Sequence, residues 1–126
     1  MMNNPADTIS RPAWNQADLL ERIDHDEELL QELLSIFRAD FPKTLRALEA
    51  AIASADLKAS ATLSHTLKGM LSNMGGMQAS AAASQLEKLA SAAGRPDSLR
   101  SALNVLQTEA GRLNAELDAY AAGALE

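Results

Sequence analysis

The chain has 126 residues, 47% of them apolar and 22% charged, with a formal charge of −6 and no cysteine. That length and composition fit one domain with a modest core, and the missing cysteine rules out a disulfide framework, a thiolate metal site and a thiol nucleophile. The acidic balance excludes a nucleic-acid footprint, which needs Lys and Arg gathered on one face.

Aromatic residues make up only 3% of the chain, while leucine and alanine dominate. Such a composition suits closely packed helices better than strands, which favour β-branched and aromatic side chains. No apolar run approaches the roughly 20 residues of a membrane span, and the start lacks the charged and apolar regions of a secretory signal. A cytoplasmic protein, with no membrane or nucleic-acid partner, is the expectation.

Residues 1–13 carry Asn, Pro, Asp, Thr and Ser without periodicity and are predicted to form a flexible tail. A short amphipathic helix is predicted from Trp14 to Arg22, placing Trp14, Leu19, Leu20 and Ile23 at one end of a core. Asp24 and Asp26 then offer helix caps, and Glu27 and Glu28 suit the positive end of a helix. A long apolar stripe follows at Leu30, Leu34, Phe37, Phe41, Leu45, Leu48 and Ile52. Pro42 falls inside it and is expected to kink that helix.

Asp56 is the predicted cap of a third helix running to about Met74, which Gly75-Gly76 stops. A fourth run, about 77 to 93, is small-sided at Ala79, Ala81, Ala82 and Ala83 before Leu86 and Leu89, which lets its backbone approach a neighbour. Gly94 and Pro96 supply a stop and a fresh start. The last helix carries Leu99, Leu103, Leu106, Ala110, Leu113, Leu117 and Tyr120, a narrow seam facing a bundle. The predicted fold is all-α: an antiparallel four-helix bundle over residues 14–122 with a short additional N-terminal helix, and a C-terminal tail at 123–126.

One of the two histidines lies in the third helix. There Leu63, Leu67, Met70 and Met74 make the predicted buried stripe, and at about 100° per residue His65 points away from it. Thr62, Lys68, Gly69 and Ser72 share its exposed face, with Lys68 and Gly69 as the nearest neighbours. A glycine inside a helix costs about 1 kcal/mol relative to alanine, so Gly69 asks for a reason. Without a side chain one turn beyond His65, another macromolecule can bring its own backbone to the imidazole, and Lys68 can neutralise an anion held there. Neutral imidazole offers a nucleophilic nitrogen able to carry a covalent intermediate. His25, by contrast, reads as a surface residue near a helix start, and Met70 and Met74 read as core filler.

The run His65-Thr66-Leu67-Lys68-Gly69, followed by Asn73-Met74-Gly75 and by Leu86-Glu87, resembles the histidine-containing phosphotransfer (HPt) domain of bacterial two-component phosphorelays. The acidic helix start and the Phe-Pro of the preceding segment are similar to that family's leader helices, so the resemblance spans roughly residues 19–89. It implies that His65 accepts a phosphoryl group on Nε2, that Lys68 balances its charge, and that Gly69, with Thr62 and Ser72 beside it, admits a receiver domain. It also implies that the Glu87 carboxylate bonds the other ring nitrogen and sets the tautomer. Helical periodicity allows this, since Glu87 flanks the core position Leu86, and Gln85 is the weaker candidate for that role. Met70-Leu71 and Gly76 depart from the small residues and the alanine usual in the family.

The function so implied is reversible carriage of a phosphoryl group on His65 between response-regulator receiver domains. A hybrid histidine kinase is a further candidate partner, and a monomer suffices. Mg²⁺ is expected on the receiver and no cofactor on this chain. No Walker A or kinase glycine loop is present, so a carrier without ATP-dependent kinase activity is expected. The rival from another class is a non-catalytic helical adaptor that binds a signalling partner through the His65/Gly69 face. A sensor-kinase phosphoacceptor hairpin would want an acid after the histidine, where Thr66 stands. A metallohydrolase would need more ligands than two distant histidines provide.

Overall fold

The computed structural model describes residues 12–124 and contains five helices. They are α1 (Gln16–Arg22), α2 (Glu27–Ala53), α3 (Leu57–Met74), α4 (Met77–Ser91) and α5 (Pro96–Ala124). The helix starts follow the sequence signals. Asn15, Asp26 and Asp56 each accept a backbone N–H from their helix's first turn, satisfying a donor that has no intrahelical partner. The connections from α2 to α5 are short, so each helix runs antiparallel to the last. α2 packs on α3, α3 on α4, α4 on α5, and α5 back on α2, closing a four-helix bundle.

The core is the apolar stripe of each helix turned inward. Leu30, Leu34, Leu48, Leu67, Leu71, Leu86, Leu106, Leu113 and Leu117 are almost wholly buried, each worth about 1.5–3 kcal/mol relative to an exposed leucine. Phe37 and Phe41 stack with ring centroids 4.9 Å apart. α2 continues through the exposed Pro42, with buried residues on both sides of it.

Several boundaries differ from the sequence expectation. α1 begins at Gln16, because Asn15 caps it and Trp14 turns inward instead. The indole Nε1–H donates to the Met74 carbonyl at 2.7 Å, and the ring meets Tyr120 edge-on. Ala13, placed by sequence in a flexible tail, is buried and donates its N–H to the Glu116 carboxylate at 2.8 Å. Pro12, also in that expected tail, is exposed, and residues 1–11 lie outside the described residues. At the other end α5 includes Gly123 and Ala124, which were expected to lie in a C-terminal tail. The remaining two residues of that tail are outside the described range. α4 ends at Ser91, and the left-handed residue that closes it is Ala93, with φ of 56°, rather than Gly94.

The turn between α3 and α4 is built on two glycines. Gly75 sits at φ of 82°, where an L side chain is strained, and a Cβ there would lie 2.9 Å from the Asn15 carbonyl oxygen. At Gly76 a Cβ would lie 2.6 Å from a Leu113 methyl. The start of α4 therefore rests directly on α5.

The buried face of α3 is also rotated from the expected one. Ser60, Ser64, Leu67, Leu71 and Met74 point inward, while Leu63 and Met70 are only partly buried. At 100° per residue the inward direction turns by about 50°. Serines can fill that stripe because they are small: Ser60 donates its hydroxyl to the Asp56 carbonyl of its own helix at 2.8 Å, whereas the Ser64 hydroxyl is buried without a hydrogen-bond partner among the described residues. The rotation carries Met70 toward α2 and brings the edge bearing His65, Lys68 and Ser72 closer to α4.

Candidate functional site

His65 stands on the exposed side of α3 with 66% of its side chain accessible. Its helix places Lys68 and Gly69 one turn further on, as the sequence requires. α4 runs antiparallel alongside and supplies Glu87. One carboxylate oxygen of Glu87 lies 3.0 Å from His65 Nδ1, and the other lies 2.8 Å from the Lys68 ammonium. A single carboxylate thus bridges the lysine and the histidine.

The Lys68 hydrogen bond holds the Glu87 carboxyl below its ordinary value of 4.5, against a smaller opposing effect of desolvation; the charges of Lys68 and His65 reinforce the lowering. At neutral pH Glu87 is therefore ionised and can only accept hydrogen bonds. The proton between it and the imidazole belongs to Nδ1. In the neutral ring this leaves the lone pair on Nε2, the nitrogen that Glu87 does not occupy.

The predicted site residues do not all share one surface. Thr62 is exposed on the same side as His65, and together with Ala61, Thr66 and Glu87 it lines an open hollow beside the ring. Gly69 is exposed, and a Cβ added there would meet nothing within 4 Å. No packing contact of the fold requires a glycine at 69. Ser72 is partly buried and turns its hydroxyl to Ser80 of α4 at 2.7 Å, so it belongs to the interface between helices rather than to the open face. Lys68 rests on Glu87, not out in solvent. His25 is exposed, as expected, with a left-handed backbone in the connection between α1 and α2.

Sequence reasoning missed an apolar strip next to this face. Gly69 and Asn73 follow His65 at successive four-residue steps, and Asn73 borders a shallow groove with Leu33, Ile36, Phe37, Met70 and Met74. Ile36 is 58% exposed there. The signal was present in the sequence as an isoleucine one residue before the buried Phe37, outside the stripe of α2. The departure Met70-Leu71 also finds its place: Leu71 is fully buried and Met70 lines the groove. At Gly76, the other departure, an added Cβ would have to displace a Leu113 methyl.

Among the described residues no group of three or more His, Asp or Glu side chains gathers as a metal site, and no helix is long and apolar enough to cross a membrane. No curated protein matches the chain, and no solved structure does. The family model described as Hpt domain matches residues 32–123, a span that holds His65, Lys68, Gly69 and Glu87 and most of the bundle. Geometry and family match agree, and the chain belongs to the Hpt domain family.

Proposed function

We propose that this protein carries a phosphoryl group on Nε2 of His65, passing it reversibly between receiver domains of response regulators. Hpt domains serve phosphotransfer in phosphorelays; the choice of nitrogen, the reversibility and the partners are our reading. The observation that carries it is the Glu87 bridge, which fixes the proton on Nδ1 and leaves an exposed, unencumbered Nε2.

The chemistry follows from that geometry. The Nε2 lone pair attacks the phosphorus of a receiver's aspartyl phosphate, a P–N bond forms, and the P–O bond to the aspartate breaks. The aspartate leaves as a carboxylate. The ring keeps its Nδ1 proton and gains positive charge, which the Glu87 carboxylate faces directly. Stabilisation is therefore aimed where charge develops. Lys68 stands one turn beyond His65 and pairs with the same carboxylate, so in this reading it shifts part of its charge to the phosphoryl oxygens. In reverse, the same groups return the phosphoryl to an aspartate.

Most of the protein's work in such a transfer is positioning and charge compensation. The Mg²⁺ belongs to the receiver in this reading, since the Glu87 carboxylate beside His65 is already held by Lys68 and the ring. Gly69 admits the receiver's backbone, and the strip of Ile36, Leu33 and Met70 offers apolar area beside it. The cytoplasm, where receivers meet their donors, is the proposed location.

Transfer from a panel of radiolabelled, phosphorylated receiver domains tests this. Wild type takes up label that is lost in acid and kept in base, and His65→Gln takes up none. Binding of a receiver without any transfer of label would instead establish a passive adaptor.

A further inference from the structure

Seven residues, about two helical turns, separate His65 from Ser72 on α3, and seven separate Ser80 from Glu87 on α4. The two helices are antiparallel, so His65 with Glu87 and Ser72 with Ser80 form two polar rungs across one interface. Between the rungs the buried residues are Leu67 and Leu71 of α3 and Ala83 and Leu86 of α4, whose apolar attraction has no direction. The rungs supply the direction.

The lower rung has a defined hydrogen-bond order. Ser80 Oγ lies 3.3 Å from the Lys68 carbonyl, which can only accept, so the Ser80 proton points there. The Ser72 hydroxyl at 2.7 Å must then donate to Ser80. Ser80 is 6% exposed, so little water is at hand to replace either bond. Lys68 is consequently held by α4 at both ends: its carbonyl by Ser80 and its ammonium by Glu87. The two α4 residues that grip it bracket the segment that presents the carboxylate to His65.

We propose that Ser80, assisted by Ser72, is a positioning residue for His65: it sets the rotation and register of α4 on α3 in which Glu87 reaches Nδ1. Ser80 touches neither the ring nor a phosphoryl group and acts through Lys68 and Glu87. The consequence for transfer rests on the phosphocarrier reading; the consequence for the ring's tautomer does not.

The test reads the Nδ1–H to Nε2–H ratio of His65 from ring ¹⁵N shifts, at a pH about two units above the ordinary imidazole range. Ser80→Ala lowers that ratio at least threefold. Ser72→Ala, which leaves the Ser80 bond to Lys68 in place, lowers it less, and the double variant matches Ser80→Ala. Ser60→Ala is the control, because Ser60 is equally buried on α3 but bonds within its own helix. It lowers the melting temperature and leaves the ratio unchanged. With receiver, Ser80→Ala slows transfer at least threefold at an unchanged half-saturating concentration. A ratio in Ser80→Ala and Ser72→Ala within the error of wild type overturns the proposal, whatever the stability change. A wild type that shows the tautomer effect in its variants but takes no phosphoryl group would sink the carrier reading and leave the positioning role standing.

Discussion

Replacing Glu87 by alanine removes the acceptor on His65 Nδ1 and the anion on Lys68 in one step. A hydrogen bond to a charged partner is worth roughly 1.5–3 kcal/mol when shielded. Here the imidazole is 66% exposed and Glu87 27% exposed, so water recovers much of that. About 1 kcal/mol remains after discounting for solvent, which is close to a fivefold factor in an equilibrium or a rate. Glu87→Ala should therefore lower the Nδ1–H to Nε2–H ratio about fivefold and slow phosphoryl acceptance by up to the same factor. Glu87→Gln separates hydrogen bonding from charge. Its amide oxygen can still accept from Nδ1, while the ion pair with Lys68, worth about 0–1 kcal/mol on a surface, is lost. Acceptance by Glu87→Gln should fall between wild type and Glu87→Ala, since the amide keeps the Nδ1 bond but loses the charge that faces the ring. Single-turnover transfer from a phosphorylated receiver, with ring ¹⁵N shifts on the same samples, measures both. Glu87→Ala with an unchanged ratio and an unchanged rate would refute the orienting role.

Three further outcomes follow from the same geometry. Gly69→Ala adds a Cβ that meets nothing, so it should stabilise α3 by about 1 kcal/mol and raise the melting temperature by about 4 °C, while Gly69→Gln should weaken receiver binding. Gly111→Ala, equally open but on α5, should stabilise without any effect on binding. Gly75→Ala forces a side chain into a left-handed conformation and against the Asn15 carbonyl, costing about 2 kcal/mol or more in urea unfolding. The Glu87 carboxyl is depressed in the folded state, so its contribution is present above the ordinary value of 4.5 and fades as pH falls through the folded value. Lys68→Met should raise the Glu87 titration seen by carboxyl ¹³C shifts, and the stability gap between variant and wild type should close in acid.

Much of this molecule was legible before its structure. The stripe from Leu30 to Ile52 and the seam from Leu99 to Leu117 are long, strictly periodic and apolar, and they turn inward, Leu45 alone of those named being only partly buried. The exposure of His65, with Lys68 and Gly69 beside it, follows from spacing alone. The apposition of Glu87 came from family likeness, because spacing within one helix says nothing about which residue of another helix stands opposite. α3 shows where periodicity fails. Counting only apolar residues put Leu63 and Met70 at its centre, yet Ser60 and Ser64 hold that place, since a small hydroxyl can be buried where close helix approach is worth more than side-chain area. That rotation is what took Ser72 off the open face. Trp14 was likewise read as the start of a helix, whereas its indole N–H needed the carbonyl that the end of α3 leaves free.

The most direct measurement of the central claim is the position of the phosphorus on the ring. Wild type charged from a phosphorylated receiver, with ¹⁵N-labelled histidine, should show ³¹P–¹⁵N coupling at Nε2 of His65 with the Nδ1 proton retained toward Glu87. Phosphorus on Nδ1, or label that persists in His65→Gln, would contradict the account.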